Sequence, residues 1–180
     1  ALHLISLAAG AKTAQDEFEW CEHSDTYGAT KSFFFDYVQV TISELLVAQA
    51  TKLRVLQDSV VNKNLDSEES KALERRLSRQ FHAAELAGRE SEPLIRDICN
   101  KIIHATSVEY VMKNSEAEEL TYTYWSKELN EYWFSGKVLL RGELRNTPWT
   151  MTLKLPKFGL LVLEYIAELE DSHEIFRAWR

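Results

Sequence analysis

Apolar residues recur every three or four positions between residues 30 and 62, and neither proline nor glycine interrupts the pattern. This spacing is typical of one face of an α-helix. The residues of the predicted buried stripe are Phe34, Tyr37, Val38, Thr41, Leu45, Ala48, Leu53, Leu56 and Val60. The pattern therefore predicts one long helix over 30–62, with a shorter helix over about 2–18 before it.

A second strong helix is predicted after Asp66. This residue suits an N-cap, and Glu69 three positions later completes a capping box. The predicted buried stripe consists of Leu73, Leu77, Phe81, Ala84 and Leu86. Gly88 is then the expected C-terminal stop, because glycine adopts the left-handed conformation that ends many helices.

The next helix is predicted to begin at Ser91-Glu92-Pro93. Ser91 can cap it, and Pro93 is compatible with a first helical turn. Its apolar face is formed by Leu94, Ile95, Ile98, Ile102 and Ile103. We expect this helix to end near Ala105.

The hydrophobic period changes to two in the last third of the chain. Ranges 108–112, 120–125 and 132–144 are rich in β-branched and aromatic residues, which favours strands. In the clearest strand, 149–155, Trp149, Met151, Leu153 and Leu155 alternate with Thr150, Thr152 and Lys154. The alternation predicts that the first set faces a layer of helices. A turn at 145–148 precedes this strand, and an amphipathic helix over 158–169 follows it.

This order of elements predicts an α+β fold. It consists of an N-terminal antiparallel helical bundle, a small antiparallel β-meander and a C-terminal helix. The 180 residues fit a single domain over 1–180, with a helical layer at 1–105 and the sheet plus terminal helix at 106–180. The hydrophobic fraction of 45% is enough for a packed core and excludes wholesale disorder.

Charge and cysteine content narrow the possible partners. A net charge of −7 weighs against broad nucleic-acid binding, although a local basic face is possible, and no apolar run is long enough to span a membrane. Cys21 and Cys99 form no CxxC pair, which indicates a reduced, cytoplasmic protein, with a single disulfide as the alternative. No cofactor or metal ion is expected.

The most suggestive polar pattern lies on the third predicted helix. Arg96, Asn100 and His104 are four residues apart, so they project along one stripe. Such a row could bind a phosphate through Arg96, orient it through Asn100 and transfer a proton through His104. These three are the candidate catalytic residues. The structural alternative is that Asn100 and His104 cap the end of the helix and tie it to the next strand.

Arg96-Asp97, followed by Asn100-Lys101-Ile102-Ile103-His104-Ala105 after two long helices, resembles the HEPN-type helical domains over residues 28–105. The resemblance implies an RNA-directed nuclease, a toxin or a phage-defence protein. The spacing from Arg96 to His104 is wider than in the signature of that family. The complete layout is also similar to uncharacterised bacterial proteins, some of them carried on integron gene cassettes.

Aromatic residues cluster in the predicted sheet. The candidate binding residues are Tyr124, Trp125, Trp133 and Trp149, because aromatic faces can stack on a ligand or a base.

Two other groups of residues give weaker indications of a site. The loop with Cys21, Glu22, His23 and Asp25 contains metal-capable side chains without a second cluster to complete a site. The basic flank of Lys71, Arg75, Arg76 and Arg79 alternates with Glu68, Glu69 and Glu74, as solvated helix faces do.

Two hypotheses about function follow from these patterns. The first is a non-enzymatic interaction or ligand-binding module, expected to form a homodimer through its aromatic sheet or its long helix. The second is a HEPN-like nuclease that uses the polar row. The exposure of Arg96 and His104 distinguishes them, because a catalytic site needs both side chains open in one cleft, whereas a capping role would bury His104.

Overall fold

A computed structural model describes residues 1–19, 27–61, 67–122 and 132–172. It contains, in chain order, helices α1 (Leu2–Glu19), α2 (Tyr27–Val61) and α3 (Ser67–Phe81), strand β1 (Ala84–Leu86), helix α4 (Ile95–Ile103), strands β2 (Ser107–Lys113), β3 (Glu119–Tyr122), β4 (Trp133–Leu144) and β5 (Thr147–Lys154), and helix α5 (Leu155–Ser172). The α+β fold predicted from the sequence is confirmed. None of the helices in these ranges is long and apolar enough to cross a membrane.

The five strands form one antiparallel sheet in the order β1-β5-β4-β2-β3. The predicted meander is correct for the β4–β5 hairpin. It is wrong for β3, which lies at the edge beside β2, while β4 pairs with the other side of β2. The register of the β2–β4 pair shifts at Met112, beside Gly136 with its φ of +79°. Glycine tolerates this left-handed conformation, which makes the bulge possible.

The prediction that the helix continues through the segment after α3 is wrong. The helix ends at Phe81, and His82 has a φ of +47° that no helix continues through. Ala84 and Leu86 then form β1 and pair with Leu153 and Met151 of β5. Their spacing fits a strand as well as a helix, and only the distant partner strand decides between the two. The sheet therefore takes one strand from the region predicted to be entirely helical.

Helix α4 begins later than predicted. Leu94 occupies the N-cap position in an extended conformation, and none of the described side chains caps the helix by a hydrogen bond. Ser91 is thus four residues outside the helix, and the predicted capping role is wrong. Burial on one face fixes α4 in the fold, because Ile95, Ile98 and Cys99 are almost fully shielded from solvent.

The buried face of α2 is rotated relative to the predicted stripe. The buried residues with described side chains are Phe35, Val38, Ile42, Leu46, Ala50, Leu53 and Gln57. Tyr37 and Ala48, which the sequence placed in the stripe, are exposed. Both faces of the helix carry apolar residues, so periodicity alone did not identify the inner one.

The core lies between the helices and one face of the sheet. Met151 and Leu153 are fully buried, as the alternation in β5 predicted, and Trp149 is half-buried. The apolar side of α5 is fully buried in the same core through Phe158, Leu161, Val162 and Tyr165. This packing holds α4 against both α2 and the end of the sheet, where polar side chains collect.

Candidate ligand-binding cleft at the end of α4

The polar row predicted on α4 divides into two parts. Arg96 extends toward α2, where its Nη2 lies 2.9 Å from Oδ1 of Asp58. Arg54, one turn before Asp58 on α2, also contacts this carboxylate, at 3.3 Å. The Arg96 guanidinium is therefore held in an ion-pair network with α2.

Asn100 and His104 lie instead in a cleft of about 430 Å³ between the C-terminal end of α4 and the β4–β5 hairpin. The residues that line this cleft are Asp97, Asn100, Lys101, His104, Glu143, Leu144 and Trp149. The structure thus brings two of the three candidate catalytic residues together with one of the four candidate binding residues. Arg96 is not part of the lining.

Trp149 forms one wall of the cleft because of its cross-strand neighbour. It pairs directly with Gly142 of β4. A Cβ atom at Gly142 would lie 2.4 Å from Cζ2 of Trp149 and 2.8 Å from the carbonyl oxygen of His104. Any side chain at position 142 would therefore displace the indole and the end of α4, so the glycine is required for the shape of the wall.

Lys101 completes this wall from the helix side. Its Nζ lies 4.2 Å from the centroid of the Trp149 ring, within the range of a cation–π interaction. Burial lowers the pKa of the Lys101 amine; the Asp97 carboxylate opposes this shift, and the Arg89 charge adds to it. In the described part of the chain, the ammonium of Lys101 forms no ion pair.

His104 ends α4 through its backbone and not through its side chain. Its N–H donates to the carbonyl of Asn100 at 3.1 Å, whereas the imidazole is exposed. Within the described ranges, the side chains of Asn100 and His104 form no hydrogen bond. The structural alternative, in which capping buries His104, is therefore wrong for its side chain.

The other candidate binding residues do not join this cleft. Trp133 lies at the start of β4 opposite Lys113, whose Nζ is 5.8 Å from the indole centroid. Nine strand positions separate Trp133 from Gly142, the partner of Trp149, which corresponds to roughly 30 Å. The two tryptophans do not form one stacking platform. Tyr124 and Trp125 lie outside the described residues.

A buried polar cluster lies behind the first turn of α4. Glu74 of α3 is only 5% exposed, and its carboxylate accepts hydrogen bonds from Nε2 of Gln57 at 2.8 Å and from the backbone N–H of Arg96 at 3.0 Å. Burial raises the pKa of Glu74, while both hydrogen bonds and the Arg96 charge lower it. The sequence placed Glu74 among the solvated charges of α3, where its alternation with basic residues hid its inward orientation.

Two further groups of this cluster are buried hydroxyls. Oγ of Ser78 has no hydrogen-bond partner among the described residues, whereas Gln57 and Ser70 lie beside the hydroxyl of Tyr165. Burial and the nearby Glu74 carboxylate raise the pKa of Tyr165 to about 12. The same two causes raise the pKa of the free, buried Cys99 thiol to about 12, so that thiol stays protonated and unreactive.

A second cleft of about 700 Å³ lies at the opposite end of α4. Arg75, Arg79 and Arg89 line it together with three carboxylates. Arg89 lies 3.6 Å from Asp97, and Nδ1 of His82 lies 2.6 Å from Glu92. The basic flank predicted on α3 therefore contributes to a cleft whose charges largely balance.

No group of three potential metal ligands occurs among the described residues, and the loop with Cys21 and His23 lies outside them. Comparisons with protein-family models, with curated proteins and with solved structures find no match to this chain. The case for function therefore rests on the geometry of the clefts.

Proposed function

We propose that this protein is a ligand-binding module whose site is the cleft formed by Asn100, Lys101, His104, Leu144 and Trp149, with Asp97 and Glu143 at its edge. The ligand class is a small organic molecule with one carboxylate or similar acceptor group. The observation that carries the proposal is that Asn100, Lys101 and His104 have no hydrogen-bond or ion-pair partner among the described residues and lie beside an aromatic wall.

The size and lining of the cleft support this proposal. Small-molecule sites are concavities of roughly 300–1,000 Å³ with an apolar wall and a few convergent polar groups. This cleft has a volume of about 430 Å³, and Trp149 and Leu144 supply apolar surface. Asn100, Lys101 and His104 supply an amide, an ammonium and an imidazole that can donate to one acceptor group.

The charges define the ligand further. Lys101 is partly desolvated, so an ion pair with a bound carboxylate would be stronger there than at a fully hydrated surface. Asp97 and Glu143 would repel additional negative charges on the ligand. A monoanion with an apolar body fits the cleft better than a polyanion.

An RNA-directed nuclease that uses Arg96, Asn100 and His104 stays a prediction from the sequence. The exposed imidazole of His104 beside Asn100 is compatible with proton transfer. Arg96, which would bind the phosphate, is instead paired with Asp58. An assay for RNA cleavage therefore accompanies the binding experiment below.

The binding test uses two-dimensional NMR of the labelled protein with benzoate, acetate and inorganic phosphate as probes. We expect benzoate to shift the indole N–H signal of Trp149 and the amide signals of Asn100 and Lys101, with a Kd in the millimolar range, about −4 kcal/mol, typical of a fragment. Acetate should bind more weakly because it lacks the apolar body. Lys101→Met should abolish these shifts, since it keeps the aliphatic chain and removes the charge.

Lys157→Met provides the matched control, because Lys157 is an exposed lysine outside the cleft. It should leave the benzoate shifts unchanged. Shifts that survive Lys101→Met, or that map to Arg79 and Leu94 with phosphate as the strongest probe, would contradict the proposal. Cleavage of RNA that is lost in His104→Ala would replace it with the nuclease hypothesis.

A further inference from the structure

Helix α2 carries apolar side chains on the face that points away from the core. Tyr37 is 66% exposed, Val40 58%, Val47 49% and Val55 62%. The opposite face is fully buried. A helix that is apolar on all sides is usually covered on all sides, so the outer face of α2 lacks a partner within the described part of this chain.

The exposed apolar residues form one continuous stripe. With 100° per residue, Tyr37, Val40, Val47 and Val55 lie within roughly 80° of the helix circumference and extend over about 27 Å. The exposed residues Ala48 and Thr51 lie next to the stripe or within it, and their small side chains allow another helix to approach closely. We call these six residues, together with Glu44 and Lys52, the outer α2 face. This face has the form of a helix-packing surface.

Two residues of opposite charge give this surface a symmetry. Glu44 and Lys52 are both exposed, and neither forms an ion pair within the described ranges. They lie four residues before and four residues after Ala48. A two-fold axis beside Ala48, perpendicular to α2, would place Glu44 of one copy against Lys52 of the other, and the reverse pair would form by symmetry.

We propose that the outer α2 face binds a second copy of this chain, with the two α2 helices antiparallel about an axis beside Ala48. The same axis places Val55 of one copy within one residue of the position opposite Val40 of the other, and Val47 beside the Ala48 of the second copy. The three valines of the stripe thus lie against apolar side chains, and each Glu44 in the stripe meets a cation. This self-complementarity favours a second copy over an unrelated protein, which would not need a symmetric pattern.

The size of the surface sets the expected strength. A stripe of about 27 Å on a helix about 10 Å wide offers roughly 300 Å² per copy, well below the roughly 800 Å² per partner of a standard stable complex. The dimer should therefore be reversible, with a Kd in the micromolar range.

Sedimentation equilibrium from about 5 to about 500 μM tests this proposal, since that range brackets a micromolar Kd. The apparent mass should rise with concentration from 20.8 kDa toward twice that value. Glu44→Lys and Lys52→Glu should each weaken association by on the order of tenfold at low salt, because each places like charges opposite one another. The double variant Glu44→Lys/Lys52→Glu should restore association to within about threefold of the original, because it exchanges the two partners.

Val47→Glu should abolish association without changing the melting temperature, since Val47 is already exposed in the single chain. Leu160→Glu is the matched control, because Leu160 belongs to α5 and not to the outer α2 face, and it is 47% exposed. A constant mass of 20.8 kDa at every concentration would overturn the proposal. Loss of the dimer in Leu160→Glu but not in Val47→Glu would also overturn the proposal. A double variant that associates as weakly as the two single variants would overturn the position of the axis beside Ala48.

Discussion

The polar groups at the two ends of α4 differ in whether they have hydrogen-bond or ion-pair partners. At the N-terminal end, the backbone N–H of Arg96 is bound by the buried Glu74 carboxylate, and the Arg96 guanidinium is bound by Asp58. At the C-terminal end, the side chains of Asn100 and His104 face a cleft and form no hydrogen bond within the described ranges. Asn100 and His104 are thus open to a ligand, whereas Arg96, the third residue of the predicted row, is held by its ion pair.

This difference decides whether a polar group can contribute to stability or remains free to contact a ligand. A buried polar group that has its partners contributes to stability, and the removal of one partner leaves the other unsatisfied. An open polar group without partners contributes little to stability and remains available for a ligand. We therefore expect substitution of the buried Glu74 at the first end to change the free energy of unfolding and substitutions at the second end to change binding.

The largest expected effect is that of Glu74→Ala. The change leaves the side-chain amide of Gln57 and the N–H of Arg96 without their acceptor in a buried site. We expect the free energy of unfolding to fall by about 3 kcal/mol in urea denaturation. Glu143→Ala, at the exposed edge of the cleft, should cost less than about 0.5 kcal/mol. Equal losses in the two variants would erase the contrast between the ends.

The pH dependence of stability gives a second, smaller effect at the same residue. Burial raises the pKa of Glu74 above its ordinary value of 4.5, so between these two values the folded state holds a proton that the unfolded state releases. The stability from this group is complete below pH 4.5 and is lost as the pH rises through the higher, folded-state pKa.

Glu74→Gln isolates this contribution because its side chain does not titrate. We expect the unfolding free energy of the original protein, minus that of Glu74→Gln, to decrease as the pH rises from 4 to 7. Urea denaturation at several pH values measures this difference. A constant difference would show that Glu74 titrates alike in the folded and unfolded states, and an increasing one would mean that its carboxylate is favoured by folding.

The sequence predicted the fold correctly where the pattern depends on residues that are near one another in the chain. Alternation in β5 predicted which side chains are buried, and uninterrupted helical spacing predicted α2. The inner face of α2 did not follow, because Tyr37 and Val40 are as apolar as the residues that the core takes. Strand β1 did not follow either, since three residues show no usable period and its partner β5 lies about 70 positions away.

The candidate site was predictable in part. The row on α4 led to Asn100 and His104, and the aromatic pattern led to Trp149. Lys101 was missed, although its spacing from Asp97 and His104 on α4 was a signal that all three share one face. The inward orientation of Glu74 had no local signal, because its partners are 17 and 22 residues away in the chain.

The smallest expected effect concerns His104. Its imidazole is exposed and makes no hydrogen bond to the part of the chain that the structure describes, and its capping bond is made by the backbone, which alanine retains. We therefore expect His104→Ala to change the free energy of unfolding by less than about 0.5 kcal/mol. A buried capping role would instead cost on the order of 1–2 kcal/mol.

Arg96→Ala is the companion variant from the other end of the row. It removes an ion pair whose members are 43% and 51% exposed, so it should also cost no more than about 1 kcal/mol. Benzoate binding separates the two, because His104→Ala should weaken it while Arg96→Ala should not. Thermal melting and NMR titration of both variants measure these outcomes. A loss of benzoate binding in Arg96→Ala would mean that the row acts as one unit after all, and that its ion pair with Asp58 positions the cleft.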